Sequence, residues 1–103
     1  MEKYEYQIII GCDDKHLKRE YVPQKELIDI VVNFFKRNNV DFSLFKMSGG
    51  YTHGKGYTTE TSLRIIIIGI NEQEVKLLSQ KLKERINTDA VLITKTEIEY
   101  CFI

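Results

Sequence analysis

The chain has 103 residues, of which 43% are hydrophobic and 29% are charged. A domain of this length buries about 65% of the surface that its unfolded chain exposes, so we expect one domain over residues 1–103 with a real core. Fifteen basic and fifteen acidic residues leave no net charge, which argues against a broad electrostatic surface for nucleic acid.

The same composition limits where the protein works. No apolar run of the sequence is long enough to cross a membrane, and the first residues, MEKYEYQ, are too polar for a signal peptide. Two cysteines, Cys12 and Cys101, occur without a secretory signal and are expected to be reduced thiols. We therefore predict a cytoplasmic protein with no nucleic-acid partner and no membrane partner.

The first half of the chain predicts a strand, a helix and a second strand. Residues 4–11 alternate as the first strand. After a charged connection, Pro23 occupies a position typical of a first helical residue, and apolar residues then recur at helical spacing as far as residue 38. Residues 40–47 alternate as a second strand.

A glycine-punctuated segment, residues 48–60, runs directly into the most apolar strand of the chain, residues 63–70. Four glycines in that segment allow positive φ angles, and we interpret it as a polar loop. The strand contains four consecutive isoleucines, so both of its faces should be buried and it should lie in the centre of a sheet. Successive isoleucines, residues 65–68, would lie on opposite faces.

A second helix and a last strand complete the chain. Asn71, with Glu74 three residues later, has the form of an N-cap and its capping-box partner, and the apolar stripe behind it extends to Ile86. Residues 90–102 alternate again and predict a long last strand. The resulting order, β-α-β-β-α-β, is that of a ferredoxin-like α+β fold, a two-layer sandwich with a four-stranded antiparallel sheet and two helices on one face.

Right-handed crossovers place the first and third strands of such a sheet side by side at its centre. On this topology we expect the glycine loop to lie at the sheet end that carries Tyr4, Tyr100, Cys101 and Phe102, with Cys12 at the opposite end. The two cysteines would then lie about 20 Å apart, which is too far for a disulfide.

Several features resemble a family of uncharacterised small bacterial proteins. They are the order of elements, the G-G-Y-x-x-G-x-G loop, Glu60-x-Ser62 and the closing D-A-V-L-I-T run. The resemblance implies a ferredoxin-like fold and assigns no catalytic residue. More distantly, the long connection between the second and third strands is similar to that of the PII-like signalling proteins, whose trimers bind nucleotides at subunit clefts. The glycine-aspartate-glycine-lysine run expected of PII proteins before the last strand is absent, and residues 87–90 stand in its place.

Within the loop, aromatic and charged side chains alternate with glycines. Backbone N–H groups and the Lys55 ammonium could wrap a phosphate or another small anionic ligand, although a P-loop lysine is followed by a helix and here a strand follows. The simpler alternative is a mobile hairpin that only connects two strands. The candidate ligand-binding residues are Tyr51, His53, Gly54, Lys55, Gly56, Tyr57 and Glu60.

Three side chains are candidates for catalysis. A histidine titrates near neutral pH, and His53 has Glu60 as a conceivable partner. Cys101 would become a nucleophile if a nearby cation stabilised its thiolate. The alternatives are an exposed histidine and an inert cysteine, and the sequence assigns neither a catalytic residue nor a cofactor.

A short polar run, residues 12–16, contains four residues of types that commonly bind metal ions: Cys12, Asp13, Asp14 and His16. It lacks the spaced C-x-x-C or H-x-x-x-H pattern of metal sites. We therefore interpret this run as a solvated turn and predict no metal site.

Two classes of function stay open. In the first, the protein is a small oligomeric binding or regulatory module whose glycine loop closes on a ligand or partner. In the second, it is a small enzyme that uses His53, Glu60 or Cys101 near that loop. The lack of a complete acid–base or nucleophile–base pattern favours the first class. Because the third strand is apolar on both faces and helices cover only one, we also expect a homo-oligomer, either a dimer or a trimer.

Overall fold

The computed structural model describes residues 4–11, 24–88 and 91–103. Its elements follow the order expected from the sequence, and the ferredoxin-like fold is confirmed. The elements are β1 (Tyr4–Gly11), α1 (Gln24–Arg37), β2 (Ser43–His53), β3 (Gly56–Ile68), α2 (Glu72–Ile86) and β4 (Leu92–Glu97).

The four strands form one antiparallel sheet in the order β2-β3-β1-β4. β1 and β3 therefore lie in the centre, as the isoleucine run predicted. Alternate residues of β1 are buried, and Ile8 pairs with Ile65 of β3, which is also fully buried. Both helices pack against the face of the sheet that carries these two residues.

The helix-covered face and the apolar stripes of the two helices form one hydrophobic core. Phe35 of α1 stacks on Phe42, just before β2, with ring centroids 5.1 Å apart. This contact fixes the chain between α1 and the sheet. The buried residues of the core are Tyr6, Ile8, Ile10, Leu27, Val31, Phe35, Leu63, Ile65, Ile67, Val75, Leu82 and Ile86.

Asparagine residues define both ends of α2. The Asn71 side chain accepts a hydrogen bond from the Glu74 backbone N–H at 2.8 Å, which confirms the N-cap. It also donates one to the Glu74 carboxylate at 3.1 Å, so Glu74 pairs with the Asn71 side chain. Asn87 ends the helix with φ of 55°, a left-handed conformation that asparagine tolerates. Of the helices in the described part of the chain, none is long and apolar enough to span a membrane.

The strand bounds depart from the sequence-based ones. Residues 48–60, which we interpreted as a polar loop, continue β2 and β3, and the connection is only the two-residue turn Gly54–Lys55. That interpretation was wrong because a glycine-rich strand lacks the apolar alternation that indicates a strand. β4 is shorter than predicted and ends at Glu97, which pairs with Tyr4, the first described residue of β1.

The hairpin turn lies at the opposite end of the sheet from the one we predicted. β1 and β3 are antiparallel, and Gly11 at the end of β1 pairs with Ser62. Since the turn precedes Ser62 in the chain, the hairpin extends past the end of β1. The residues that we expected beside it, Tyr4, Tyr100, Cys101 and Phe102, belong to the other end. The expected position of Cys12, and hence its distance from Cys101, lies outside the described residues.

The second face of the sheet is covered by neither described helix. The register places Phe45, Arg64, Ile9 and Leu92 in one row across it, and Phe45 and Leu92 are 50% and 58% exposed. We call this surface the open face. Its positions are Ser43, Phe45 and Met47 of β2, Ser62, Arg64, Ile66 and Ile68 of β3, Glu5, Gln7 and Ile9 of β1, and Leu92, Thr94 and Thr96 of β4.

Candidate functional site

The candidate ligand residues lie on the part of the β2–β3 hairpin that projects beyond the sheet. Six cross-strand pairs, from Ser48–Thr61 to His53–Gly56, follow the last pair that β3 makes with β1. We call this segment, residues 48–61, the ribbon. At a strand rise of about 3.3 Å per residue, it extends about 20 Å beyond β1. Its described main-chain pairing is therefore only between its own two strands.

The turn of the ribbon depends on Gly54. This residue has φ of 57°, and Lys55 is not among the residues with positive φ, which matches a type II′ turn with glycine at its first central position. The side chain of Lys55 is exposed. The local sequence therefore presents an ammonium group at the outermost point of the hairpin.

The pairing of β2 with β3 places the other candidate residues on two different faces of the ribbon. Tyr51, His53 and Glu60 occupy positions on the face that continues the open face of the sheet, whereas Tyr57 pairs with Thr52 on the opposite face. The structure thus brings three of the candidates to one face. It does not bring Tyr57 to them.

Tyr57 has a structural role in the ribbon. Its phenol ring lies over Gly50, and a Cβ at Gly50 would overlap the phenol oxygen. This close approach of the ring requires a residue without a side chain at position 50. With 68% of its surface exposed, the ring still offers an apolar surface to a ligand or partner.

At the opposite end of the sheet, an ion pair joins α2 to β4. Lys95 Nζ lies 3.2 Å from the Glu72 carboxylate and 4.2 Å from the centre of the Tyr4 ring. The hydrogen bond from Lys95, together with its charge, holds the pKa of Glu72 below its usual value, and the same hydrogen bond raises the pKa of Lys95. Because nearly half of each side chain is exposed, this pair acts as a surface clamp between the two layers.

Metal-ligating side chains do not cluster in the described chain. No group of three or more histidine, cysteine or acidic residues there could hold a metal ion. The run of such residues at positions 12–16 lies outside the described part, so its interpretation as a solvated turn stays a prediction.

Cys101 lies far from the other two catalytic candidates. It is exposed and lines a groove with Asp41 and Ile68, at the sheet end opposite the ribbon. The prediction that Cys101 lies near the glycine segment was therefore wrong, for the same reason that the hairpin was misplaced. A site that combines Cys101 with His53 or Glu60 in one copy is excluded by this separation.

Sequence reasoning missed the groove itself. We read residues 98–102 as part of a strand, whereas they pass beside the ends of β2 and β3. One signal was available: antiparallel pairing with a first strand that begins near Tyr4 leaves the residues after Glu97 without a strand partner.

No protein-family model matches the chain, and no curated protein matches its sequence. A phage SAM lyase, solved alone and in complex with S-methyl-5′-thioadenosine, is 21% and 24% identical in its two structures, with TM-scores of 0.62 and 0.58. Both comparisons cover 91% of this chain, and they cover 79% and 80% of the lyase.

Two other solved structures are similar over most of their length. CutA1 from Pyrococcus horikoshii is 14% identical, with a TM-score of 0.61 and coverage of 96% of this chain and 86% of CutA1. A DUF3240 family protein from Shewanella baltica is 14% identical, with a TM-score of 0.56 and coverage of 100% and 98%. At these identities the likeness concerns the fold, and it confirms the resemblance of this chain to small ferredoxin-like proteins.

Proposed function

We propose that the protein is a small homo-oligomeric binding or regulatory module. In this proposal, copies pack through the open face, and the ribbon of one copy closes on a small ligand beside a neighbouring copy. One observation carries it: a sheet face that neither described helix covers, with Phe45, Ile66 and Leu92 on it, runs directly into a ribbon that projects past the sheet.

Exposed apolar side chains and one unpaired donor on the open face support self-association. Phe45 and Leu92 expose half or more of their surface, and Arg64 lies between Phe45 and Ile9 in the same row. The Arg64 Nε is buried without a hydrogen-bond partner in the described chain. An unsatisfied buried donor costs free energy, and a carbonyl or carboxylate of a second copy would accept from it while its apolar neighbours lose contact with water.

The ribbon also favours a site at a subunit boundary. A two-stranded hairpin without further cover is marginally stable in water. Because the positions of Tyr51, His53 and Glu60 continue the open face, copies that pack through that face bring these positions against a neighbour. A dimer or a trimer with closed symmetry would satisfy this arrangement.

Lys55 and the turn favour a small anionic ligand. Gly54 and Gly56 have no side chains that would shield the backbone N–H groups of the turn, and the Lys55 ammonium beside them is exposed. A phosphate or carboxylate would contact both the N–H groups and the ammonium. On binding such a ligand, the ribbon would become ordered against the neighbouring copy.

Native mass spectrometry of protein purified from its own host tests this function, since it reports subunit number and any bound small molecule together. We expect a dimer or trimer with a small ligand, and we expect Lys55→Ala to lose the ligand while Lys81→Ala, which removes an exposed charge from α2, retains it. A ligand-free monomer, or equal ligand retention in both variants, would contradict the proposal.

A second candidate function is an enzyme that acts on S-adenosylmethionine, and the likeness to the phage SAM lyase favours it. Release of S-methyl-5′-thioadenosine breaks the bond from the sulfonium sulfur to the methionine γ-carbon, and the sulfur keeps the electron pair. The carboxylate of the same substrate attacks that carbon as the bond breaks, so the rest of the methionine part leaves as a lactone. The ribbon carries a carboxylate, Glu60, and a tyrosine, Tyr51, at positions of one face, and these are group types that stabilise an organic cation.

Incubation with S-adenosylmethionine, followed by chromatography, separates the two candidates. An enzyme would release S-methyl-5′-thioadenosine, and Glu60→Gln would abolish this release while Glu26→Gln, an exposed carboxylate on α1, would not. Recovery of intact S-adenosylmethionine would exclude this activity and leave the binding module.

A further inference from the structure

A groove at the sheet end opposite the ribbon has the size of a small-molecule site. Its volume is about 440 Å³, within the range of about 300–1,000 Å³ that is usual for ligand pockets. Because β4 ends beside the start of β1, the C-terminal residues must cross that strand to reach the ends of β2 and β3. The groove lies where they arrive, and its lining includes Asp41, Phe42, Ile68, Tyr100, Cys101 and Phe102.

Aromatic rings supply much of this lining. The rings of Tyr100 and Phe102 meet edge to face, with centroids 6.0 Å apart. Phe42 adds a third ring, which is fixed by its stacking on the buried Phe35. Phe102 is 94% exposed, so a flat apolar ligand in the groove would remove a large ring surface from water.

The described lining of the groove contains an acidic side chain and no basic one. Asp41 is the charged residue among those that line it, and its carboxylate has no ion-pair or hydrogen-bond partner in the described chain. Among the described residues, no lysine or arginine lines the groove. A ligand with a positive charge would therefore gain from Asp41 and from the ring faces together, whereas an anion would be repelled.

We propose that this groove binds a small organic cation that carries a flat apolar ring. The ring lies among Phe42, Tyr100 and Phe102, and the positive charge lies beside Asp41. This site is separate from the ribbon and does not depend on the function proposed for it.

Three probes that share a benzene ring test the proposal on the full chain: the cation benzyltrimethylammonium, the neutral benzyl alcohol and the anion benzenesulfonate. Backbone amide NMR titrations should show shifts at residues 41–43, 68–69 and 100–102 for the cation. We expect the cation to bind about fivefold or more tightly than the alcohol, and benzenesulfonate to bind more weakly than both.

Two substitutions then separate the contribution of the Asp41 charge from that of the Phe102 ring. Asp41→Asn should remove the preference for the cation over the alcohol, while Asp29→Asn, at an exposed position of α1, should leave it unchanged. Phe102→Ala should weaken the binding of both the cation and the alcohol. Because the Phe102 side chain is exposed, its removal should not unfold the protein. In a Cys12→Ser background, the cation should also slow alkylation of Cys101. Equal affinity for cation and anion, shifts centred elsewhere, or an unchanged preference in Asp41→Asn would overturn the proposal.

Discussion

β3 carries Ile65 on one face of the sheet and Ile66 on the other, and the two faces have different surroundings. Ile65 is fully buried beneath the helices, whereas Ile66 is half-buried in a row that neither described helix covers. Adjacent residues of the same type therefore report on two different surfaces. The apolar pattern of a strand therefore predicts which of its faces avoid water, while the order of elements determines which face the chain can cover by itself.

Alanine at these two isoleucines should separate the faces most strongly. Ile65→Ala should reduce the free energy of unfolding by about 2–5 kcal/mol, because it leaves a cavity in a closed core. Ile66→Ala should cost less in dilute protein, and its cost should increase with protein concentration if copies cover the open face. Urea unfolding at several protein concentrations measures both effects.

Equal and concentration-independent losses for the two variants would mean that the open face is covered within one copy. The comparison between the faces would then fail, and with it the argument for self-association.

The helix-covered face also depends on how α2 is held. Asn71→Ala removes the cap that accepts from the Glu74 N–H and should cost about 1 kcal/mol. Asn33→Ala, at an exposed interior position of α1, should be neutral or slightly stabilising because alanine favours a helix. Thermal unfolding compares the two variants, and a loss of the same size at Asn33 would contradict the cap.

Sequence patterns predicted the fold well where one physical signal dominated. The period of the apolar residues identified α1, α2 and the central position of β3, and the Asn71–Glu74 spacing identified the start of α2. Each of these signals is local, because a helix or a buried strand repeats its own period.

The candidate site was less predictable. Residues 48–60 were read as a loop because glycine and threonine do not alternate in hydrophobicity, although pairing between β2 and β3 continues through them. The end of the sheet at which the turn lies was predictable, because a third strand antiparallel to β1 must begin beside the end of β1, and the turn before it lies there too. The groove beside Phe102 depends on a segment without regular structure, and a single sequence contains no period that would reveal it.

The ribbon provides a finer test at its glycines. Gly54→Ala places a Cβ on a residue with φ of 57° and should cost about 1 kcal/mol in the ribbon. A Cβ at Gly49 would contact nothing within 4 Å, so Gly49→Ala should not weaken the strand. Hydrogen exchange of residues 48–61 should become faster in the first variant alone. Equal exchange in both variants would show that the turn does not hold the ribbon together.

The smallest expected effect concerns the clamp between Lys95 and Glu72. The pKa of Glu72 lies below its usual 4.5 in the folded protein, so the pair stabilises the fold above that pH, and the stabilisation is lost as the pH falls through the folded pKa. The raised pKa of Lys95 contributes stability that is lost only as the pH rises above 10.5 and through its folded value. Because both groups are exposed, the effect should be small and should decrease with salt.

Melting temperatures of Lys95→Gln and the parent should therefore differ slightly at neutral pH and converge in acid, with Lys81→Gln as the control for loss of one exposed lysine. A difference that persisted unchanged in acid would assign the role of Lys95 to its contact with the Tyr4 ring instead.

Self-association through the open face is the central claim, and two leucines test it directly. Leu92 on the open face and Leu77 on α2 are each 58% exposed, so Leu92→Glu and Leu77→Glu introduce the same charge at equally exposed positions. Sedimentation velocity at micromolar concentration should show the parent and Leu77→Glu as the same oligomer and Leu92→Glu as a folded monomer. A parent that sediments as a monomer, or a Leu92→Glu variant that sediments with the parent, would contradict the claim.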